Sequence, residues 1–215
     1  MDTQEQAPKL VSLTLSEFAD ALGSDQTAPG GGSASALAGA LGGALAVMVA
    51  RLTLGRTKYA SHQGEMALVE AKADLLKTKL LTLVDADAAA YNQVTEAFKL
   101  PKDTDVHKAE RVAAIHSAFR IATDVPLATA EACAEVLVLA GQVAAHGNRN
   151  AASDAAVAAL LAHAGLRGAA RNVRINLDSL NDTMFCAHAA DRVAALLEAG
   201  DVALESALAS ADSRA

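Results

Sequence analysis

Residues 33–50 read SASALAGALGGALAVMVA, a run without a single charge. As one helix it would extend about 27 Å, long enough to cross the hydrocarbon layer of a membrane. Its content points elsewhere. Leu37, Leu41, Leu45, Val47, Met48 and Val49 are its only larger apolar residues, and the rest are Ala, Gly and Ser. Neither flank carries a cluster of basic or aromatic anchors. A helix apolar on all sides in a soluble chain is the central helix of a bundle. The expectation is a buried Ala/Gly-rich helix over residues 33–54, with no membrane partner.

The rest of the chain supports a bundle. Of 215 residues, 52% are hydrophobic, 20% charged and only 3% aromatic, and tryptophan is absent. Such alanine-rich, proline-poor sequence favours helices that approach closely. A chain of this length buries roughly 70% of its unfolded surface and needs no disulfide or metal staple. The net charge of −7 lacks the basic stripe that a phosphate backbone demands, so no nucleic acid is expected. Cys133 and Cys186 form no CxxC pair, and the first residues (MDTQEQ) are polar and acidic, unlike a signal peptide. Both features point to the cytoplasm.

Residues 1–12 read as a flexible N-terminal arm, and residues 13–215 as one all-α, single-domain helical bundle with a long central helix. Thr14-Leu15-Ser16-Glu17 fits a capping box opening a short helix, with Leu15, Phe18, Ala19 and Leu22 on one face. Residues 55–64 read as a turn. A long amphipathic helix is expected over 65–98, its apolar side formed by Leu68, Leu75, Leu76, Leu80, Leu83, Val84 and Tyr91. Helical pattern then covers 105–123, and Pro126 starts or kinks a further helix to about 145. Two helices over 151–165 and 166–180, and a last one over 182–209, complete the chain. No alternating strand pattern and no fixed-period repeat is present.

Four constellations could carry chemistry. Gly30, Gly31, Gly32 and Ser33 expose backbone N–H groups at a helix start, which suits an anion or a tight turn with Ser33 as N-cap. No Gly-Lys-[Ser/Thr] follows, so it is not a Walker A loop. Asp87 and Tyr91, four apart, share the inward side of the long helix. A carboxylate there is costly unless paired or used; a solvated Asp beside a core Tyr is the alternative. Lys102 lies just beyond that helix. Asn148, Asn150, Ser153 and Asp154 precede a very apolar helix, in numbers that capping alone does not explain. Asn172 and Asn176, at i and i+4, suit either the donor and acceptor edges of a bound heterocycle or a helix–helix hydrogen bond. The six histidines show no HExxH and no Glu-x-x-His pair, so no metal ligands are assigned.

In this order the constellations resemble the formiminotetrahydrofolate cyclodeaminase and methenyltetrahydrofolate cyclohydrolase family. The matching segments are PGGGSASALAGALGGALAVMVARLTLG, DADAAAYNQVTEAFKLPK, ATDVPLATAE, GNRNAASDAAVAALL and GAARNVRINLDSL, together spanning residues 13–182. The resemblance implies an all-α homodimer holding a tetrahydrofolate derivative, with no cofactor beyond that substrate. It implies hydrolysis of 5,10-methenyltetrahydrofolate to 10-formyltetrahydrofolate, or closure of 5-formiminotetrahydrofolate to the methenyl form with release of ammonia. The sequence carries no formiminotransferase domain, which favours the hydrolysis. Asp87, Tyr91 and Lys102 are then the candidate catalytic groups. Gly30, Gly31, Gly32, Ser33, Asn148, Asn150, Ser153, Asp154, Asn172 and Asn176 are the candidate substrate-binding groups. A non-catalytic folate-binding or interaction bundle is the competing class.

Overall fold

Small side chains determine how near the helices come to one another. The structure, a computed structural model, describes residues 9–214. Six α-helices carry the fold: α1 (Leu15–Leu22), α2 (Gly31–Thr53), α3 (Gln63–Lys99), α4 (Asp105–His146), α5 (Ala152–Leu177) and α6 (Thr183–Asp212). No strand occurs among the described residues. α2 lies at the centre, packed against α3, α4 and α5, while α6 covers α4 and α5.

Glycines mark the closest crossings. A methyl group on Gly165 of α5 would stand 2.7 Å from the Ser35 carbonyl and 3.1 Å from the Gly39 nitrogen of α2. One on Gly42 would stand 2.8 Å from the Ala158 carbonyl. Backbone meets backbone here, as it can where side chains are absent or minimal. Around these crossings Ala36, Ala46, Ala50, Val49, Leu80, Val136, Leu137 and Leu166 are fully buried. α2 and α4 are long and apolar enough to cross a membrane by composition, and both are largely enclosed by the other helices.

Several expectations need correction. The stretch expected as two helices over 151–180 holds one, Ala152–Leu177, because Gly165 serves the contact with α2 and leaves α5 uninterrupted. Residues 105–146 are likewise continuous, with Pro126 inside α4. A proline cannot donate to the carbonyl four residues earlier, here that of Ala122, and the Asn176 amide nitrogen donates to that oxygen at 2.5 Å. α2 begins two residues before the expected start, with Gly30 as N-cap. Leu68 and Leu75, expected inward, are 55% and 72% exposed, and Leu15 is 84% exposed.

Other local readings hold. The capping box at Thr14 and Glu17 is complete. The turn after α2 is a 3-10 helix, Thr57–His62, reached through Gly55 at φ +74°, a left-handed conformation suited to glycine. Residues 1–8 of the expected arm lie outside the described residues. The following turn, Leu10–Ser12, is docked on α3, where the Leu10 N–H donates to the Asp85 carboxylate at 2.6 Å.

Candidate active site

The N-terminal ends of α2 and the C-terminal halves of α3 and α5 meet at a cleft of about 560 Å³. Gly30, Gly31 and Gly32 form its floor, Asp87 and Tyr91 one wall, and Asn172 and Asn176 the opposite wall. A larger groove of about 840 Å³ runs along one side of α4, past Lys108, Val112, His116 and Arg120. That groove is shallow and draws on a single helix, whereas four elements converge on the cleft.

Asp87 is the centre of the cleft. Its carboxylate rests on the first turn of α2, so close that a Cβ on Gly32 would overlap it. Ser33 Oγ lies 2.9 Å from Asp87 Oδ2 and 3.1 Å from the Val84 carbonyl. The glycine-rich helix start therefore receives an anion supplied by the chain itself. Ser33, expected as N-cap, instead turns its hydroxyl to Asp87 and α3.

Two effects compete on this acid. Burial raises the Asp87 pKa above its ordinary value and outweighs the hydrogen bonds from the Ser33 hydroxyl and backbone N–H, which lower it. Ser33 has one hydroxyl proton for two acceptors. When Asp87 is protonated it can donate to Ser33 while Ser33 donates to Val84, so both charge states are accommodated. A carboxyl group so placed suits proton transfer.

The asparagines are half committed. Asn172 Nδ2 donates to the Gly168 carbonyl at 3.0 Å, and Asn176 Nδ2 to the Ala122 carbonyl opened by Pro126. Each side chain keeps its carbonyl oxygen as an acceptor for N–H groups of a ligand. Further along α3, Tyr91, Val94, Thr95 and Phe98 follow one another at helical spacing along the cleft. Phe98 meets Phe119 of α4 edge to face, ring centroids 6.1 Å apart.

The sequence reading missed these two rings, although the i, i+7 spacing of Tyr91 and Phe98 on one helix side was a usable signal. Phe119 left no such trace, because only the packing of α4 against α3 brings it in. Tyr91, expected inside, is 45% exposed at the cleft.

The other candidates lie elsewhere. Lys102 is exposed at the tip of the α3–α4 hairpin and does not line the cleft. Twelve residues of α3 separate Asp87 from Lys99, about 18 Å of helix. Asn148, Asn150, Ser153 and Asp154 sit at the opposite end of α2, roughly 30 Å away. There Asn148 is buried; its N–H donates to Thr53 Oγ1 at 2.7 Å and its amide nitrogen to the Leu52 carbonyl at 3.1 Å. Its side-chain oxygen accepts from the Asn150 N–H at 3.1 Å. Within one chain these four residues do not join the cleft.

A family model described as formiminotransferase-cyclodeaminase matches residues 14–195. The chain belongs to that family. Among its curated relatives is a methenyltetrahydrofolate cyclohydrolase of Methylorubrum extorquens, 44% identical over 188 residues, covering 87% of this chain and 90% of the relative. The formimidoyltransferase-cyclodeaminase of Sus scrofa is 39% identical over 88% of this chain, which spans 35% of that longer protein. A crystal structure of formiminotetrahydrofolate cyclodeaminase from Thermotoga maritima superposes with a TM-score of 0.79 at 27% identity, covering 94% of this chain and 95% of that one. Family members thus carry either of two activities, and the matched region contains every residue of the cleft.

Proposed function

We propose that the chain is a folate-dependent one-carbon enzyme that hydrolyses 5,10-methenyltetrahydrofolate to 10-formyltetrahydrofolate. The observation that carries this reading is a half-buried carboxyl group of raised pKa, held on a helix N-terminus at the polar end of a cleft whose other end is aromatic. The similarity to the Methylorubrum cyclohydrolase over nearly the full length of both chains supports the choice of reaction.

The cleft suggests one orientation. The pterin lies at the polar end, its N–H groups facing the Asn172 and Asn176 oxygens. The aminobenzoyl ring lies against the Phe98–Phe119 pair, and the glutamate carboxylates emerge toward Lys102. The methenyl bridge is cationic, so ionised Asp87 stabilises it by charge. Asp87 then takes a proton from water as its oxygen adds to the bridging carbon. The resulting tetrahedral carbon, now bearing the hydroxyl, loses its bond to N5 as Asp87 delivers that proton to N5 and takes up the hydroxyl proton, leaving the formyl group on N10 and one proton to pass to solvent. Tyr91 is placed to orient the water. In this assignment Lys102 binds the anionic tail, Asn148 holds the far end of the bundle, and Asn150, Ser153 and Asp154 lie beside it outside the cleft.

Ring closure of 5-formiminotetrahydrofolate passes through a similar tetrahedral carbon and is the second reading, favoured by the match to the Thermotoga structure. Following methenyl absorbance separates the two. Faster loss of added methenyltetrahydrofolate establishes hydrolysis; faster appearance from the formimino substrate, with ammonia, establishes closure. If neither rate exceeds the uncatalysed one, both fail and a folate-binding role replaces them.

The protein acts in the cytoplasm, without nucleic acid, membrane or further cofactor, as a homodimer. Leu41, Met48 and Leu52 recur at i, i+7 and i+11 on the outer side of α2, and Leu68 and Leu75 on that of α3, all substantially exposed. The Arg51–Glu70 ion pair at 2.6 Å joins the two helices beside them. A second copy covers this face, which light scattering on the purified protein tests directly.

A further inference from the structure

A separate cluster sits where α3 begins and α4 ends. His62 immediately precedes α3, Glu65 lies in its first turn, and His146 is the last residue of α4. His62 Nδ1 is 3.4 Å from Glu65 Oε2, and His146 Nδ1 is 2.9 Å from the same oxygen and 3.1 Å from Oε1. The two imidazoles stack with centroids 4.4 Å apart and planes 11° from parallel. Both rings thus present the same nitrogen to one carboxylate.

We propose that His62, Glu65 and His146 bind a divalent transition-metal ion of the zinc class. One donor atom from each residue lies within 4.8 Å of the other two. Bonds of ~2.0–2.1 Å in a tetrahedron place neighbouring donors about 3.4 Å apart, so small rotations of half-buried side chains complete the geometry. Two imidazoles and one carboxylate favour zinc, nickel or copper over magnesium or calcium, which prefer oxygen shells. With side chains 30–43% exposed, the fourth position belongs to water.

The helix fields oppose one another here, since the C-terminal carbonyls of α4 attract a cation and the N-terminus of α3 repels one. Arg214 offsets part of the attraction by donating to the Ala145 and Gly147 carbonyls, so the donor atoms must provide the affinity. The ion would tie the start of α3 to the end of α4, at the end of the bundle away from the folate cleft. Its role is structural, and it stands whether or not the folate reading does.

The test uses tag-free, chelator-treated full-length protein titrated with Zn2+, with Mg2+ as control. The expected result is one Zn2+ per chain, a tetrahedral visible band with Co2+, and a melting temperature raised by roughly 5–10 °C at a hundredfold excess over Kd. His62→Ala and His146→Ala should each weaken binding by more than about tenfold, while leaving folate turnover unchanged. His146→Gln retains a hydrogen bond to Glu65 without the imidazole ligand, and should also lose the ion. Absence of binding, or binding that all three variants keep (an adventitious ion only), overturns the proposal.

Discussion

The two ends of α2 both bury polar side chains, yet only one of them is open. At its C-terminal end Thr53, Tyr59, Asn148 and the Arg149 backbone satisfy one another: Asn148 uses its N–H, its amide nitrogen and its oxygen within the protein, and Arg149 N–H donates to Tyr59 at 3.0 Å. At the N-terminal end Asp87, Asn172 and Asn176 are held from one side and face a cleft on the other. The same residue types therefore do different work. Where the protein supplies every partner, an asparagine is structural; where it supplies half, the remainder is available to a ligand.

Asp87→Asn should separate the two ends most strongly. Turnover is expected to fall by about 10²–10⁴-fold, the range for a lost general acid–base group. Stability should move the other way. Burial raises the folded pKa above the unfolded value, so this group's contribution is fully present below the ordinary aspartate pKa. It is lost as pH rises through the folded value. The neutral amide removes that loss, so the variant should melt no lower than wild type at pH 7. The acid limb of the wild-type pH–rate profile should sit above the ordinary aspartate range. A variant that keeps full turnover would remove Asp87 from the mechanism.

Gly32→Ala follows in size. The added methyl group displaces the Asp87 carboxylate from the turn that holds it, and a misplacement of about 1 Å costs on the order of 10²-fold in rate. Steady-state kinetics should show the loss in kcat. Unchanged kcat would mean that the helix start does not position the acid.

The architecture was legible because composition and periodicity act locally. The uncharged Ala/Gly run identified the central helix, and Thr14, Glu17 and Asp182 marked helix starts that the structure retains. Asp87, Tyr91, Asn172 and Asn176 were also legible, as polar residues on apolar helices. What stayed hidden depends on contacts between distant segments. Gly165 looks like a break until α2 is seen against it, and Pro126 looks like a helix start until Asn176 takes the carbonyl it leaves. Likewise nothing in Asn148 itself reveals that Thr53, 95 positions earlier, will accept its N–H.

Asn148→Ala sharpens the contrast by acting on stability alone. It strips partners from the Leu52 carbonyl and the Asn150 N–H, which should cost about 1–3 kcal/mol. For a chain of this size the melting temperature should drop by roughly 2–4 °C per kcal/mol. Below that transition kcat and KM should match wild type. A changed kcat would place Asn148 in the active site, as a partner chain could do. Asn172→Ala reverses the pattern: its effect should appear in KM, raised by about two- to tenfold for one lost hydrogen bond, with little change in melting.

Lys102→Ala carries the smallest expected effect and decides the direction of the substrate. At the hairpin tip the side chain is exposed, so a contact with a solvated carboxylate is worth only about 0.2–1 kcal/mol. That corresponds to a rise in KM of no more than about fivefold, with kcat preserved, and the rise should shrink as salt screens the charge. If kcat instead falls a hundredfold while KM holds, Lys102 takes part in proton transfer. The hairpin tip must then close over the cleft, or reach it from a second copy. The KM-to-kcat split thus reports on geometry: an effect confined to KM and sensitive to salt places the folate tail along α3, leading out past Phe98 from an acid that works at the other end.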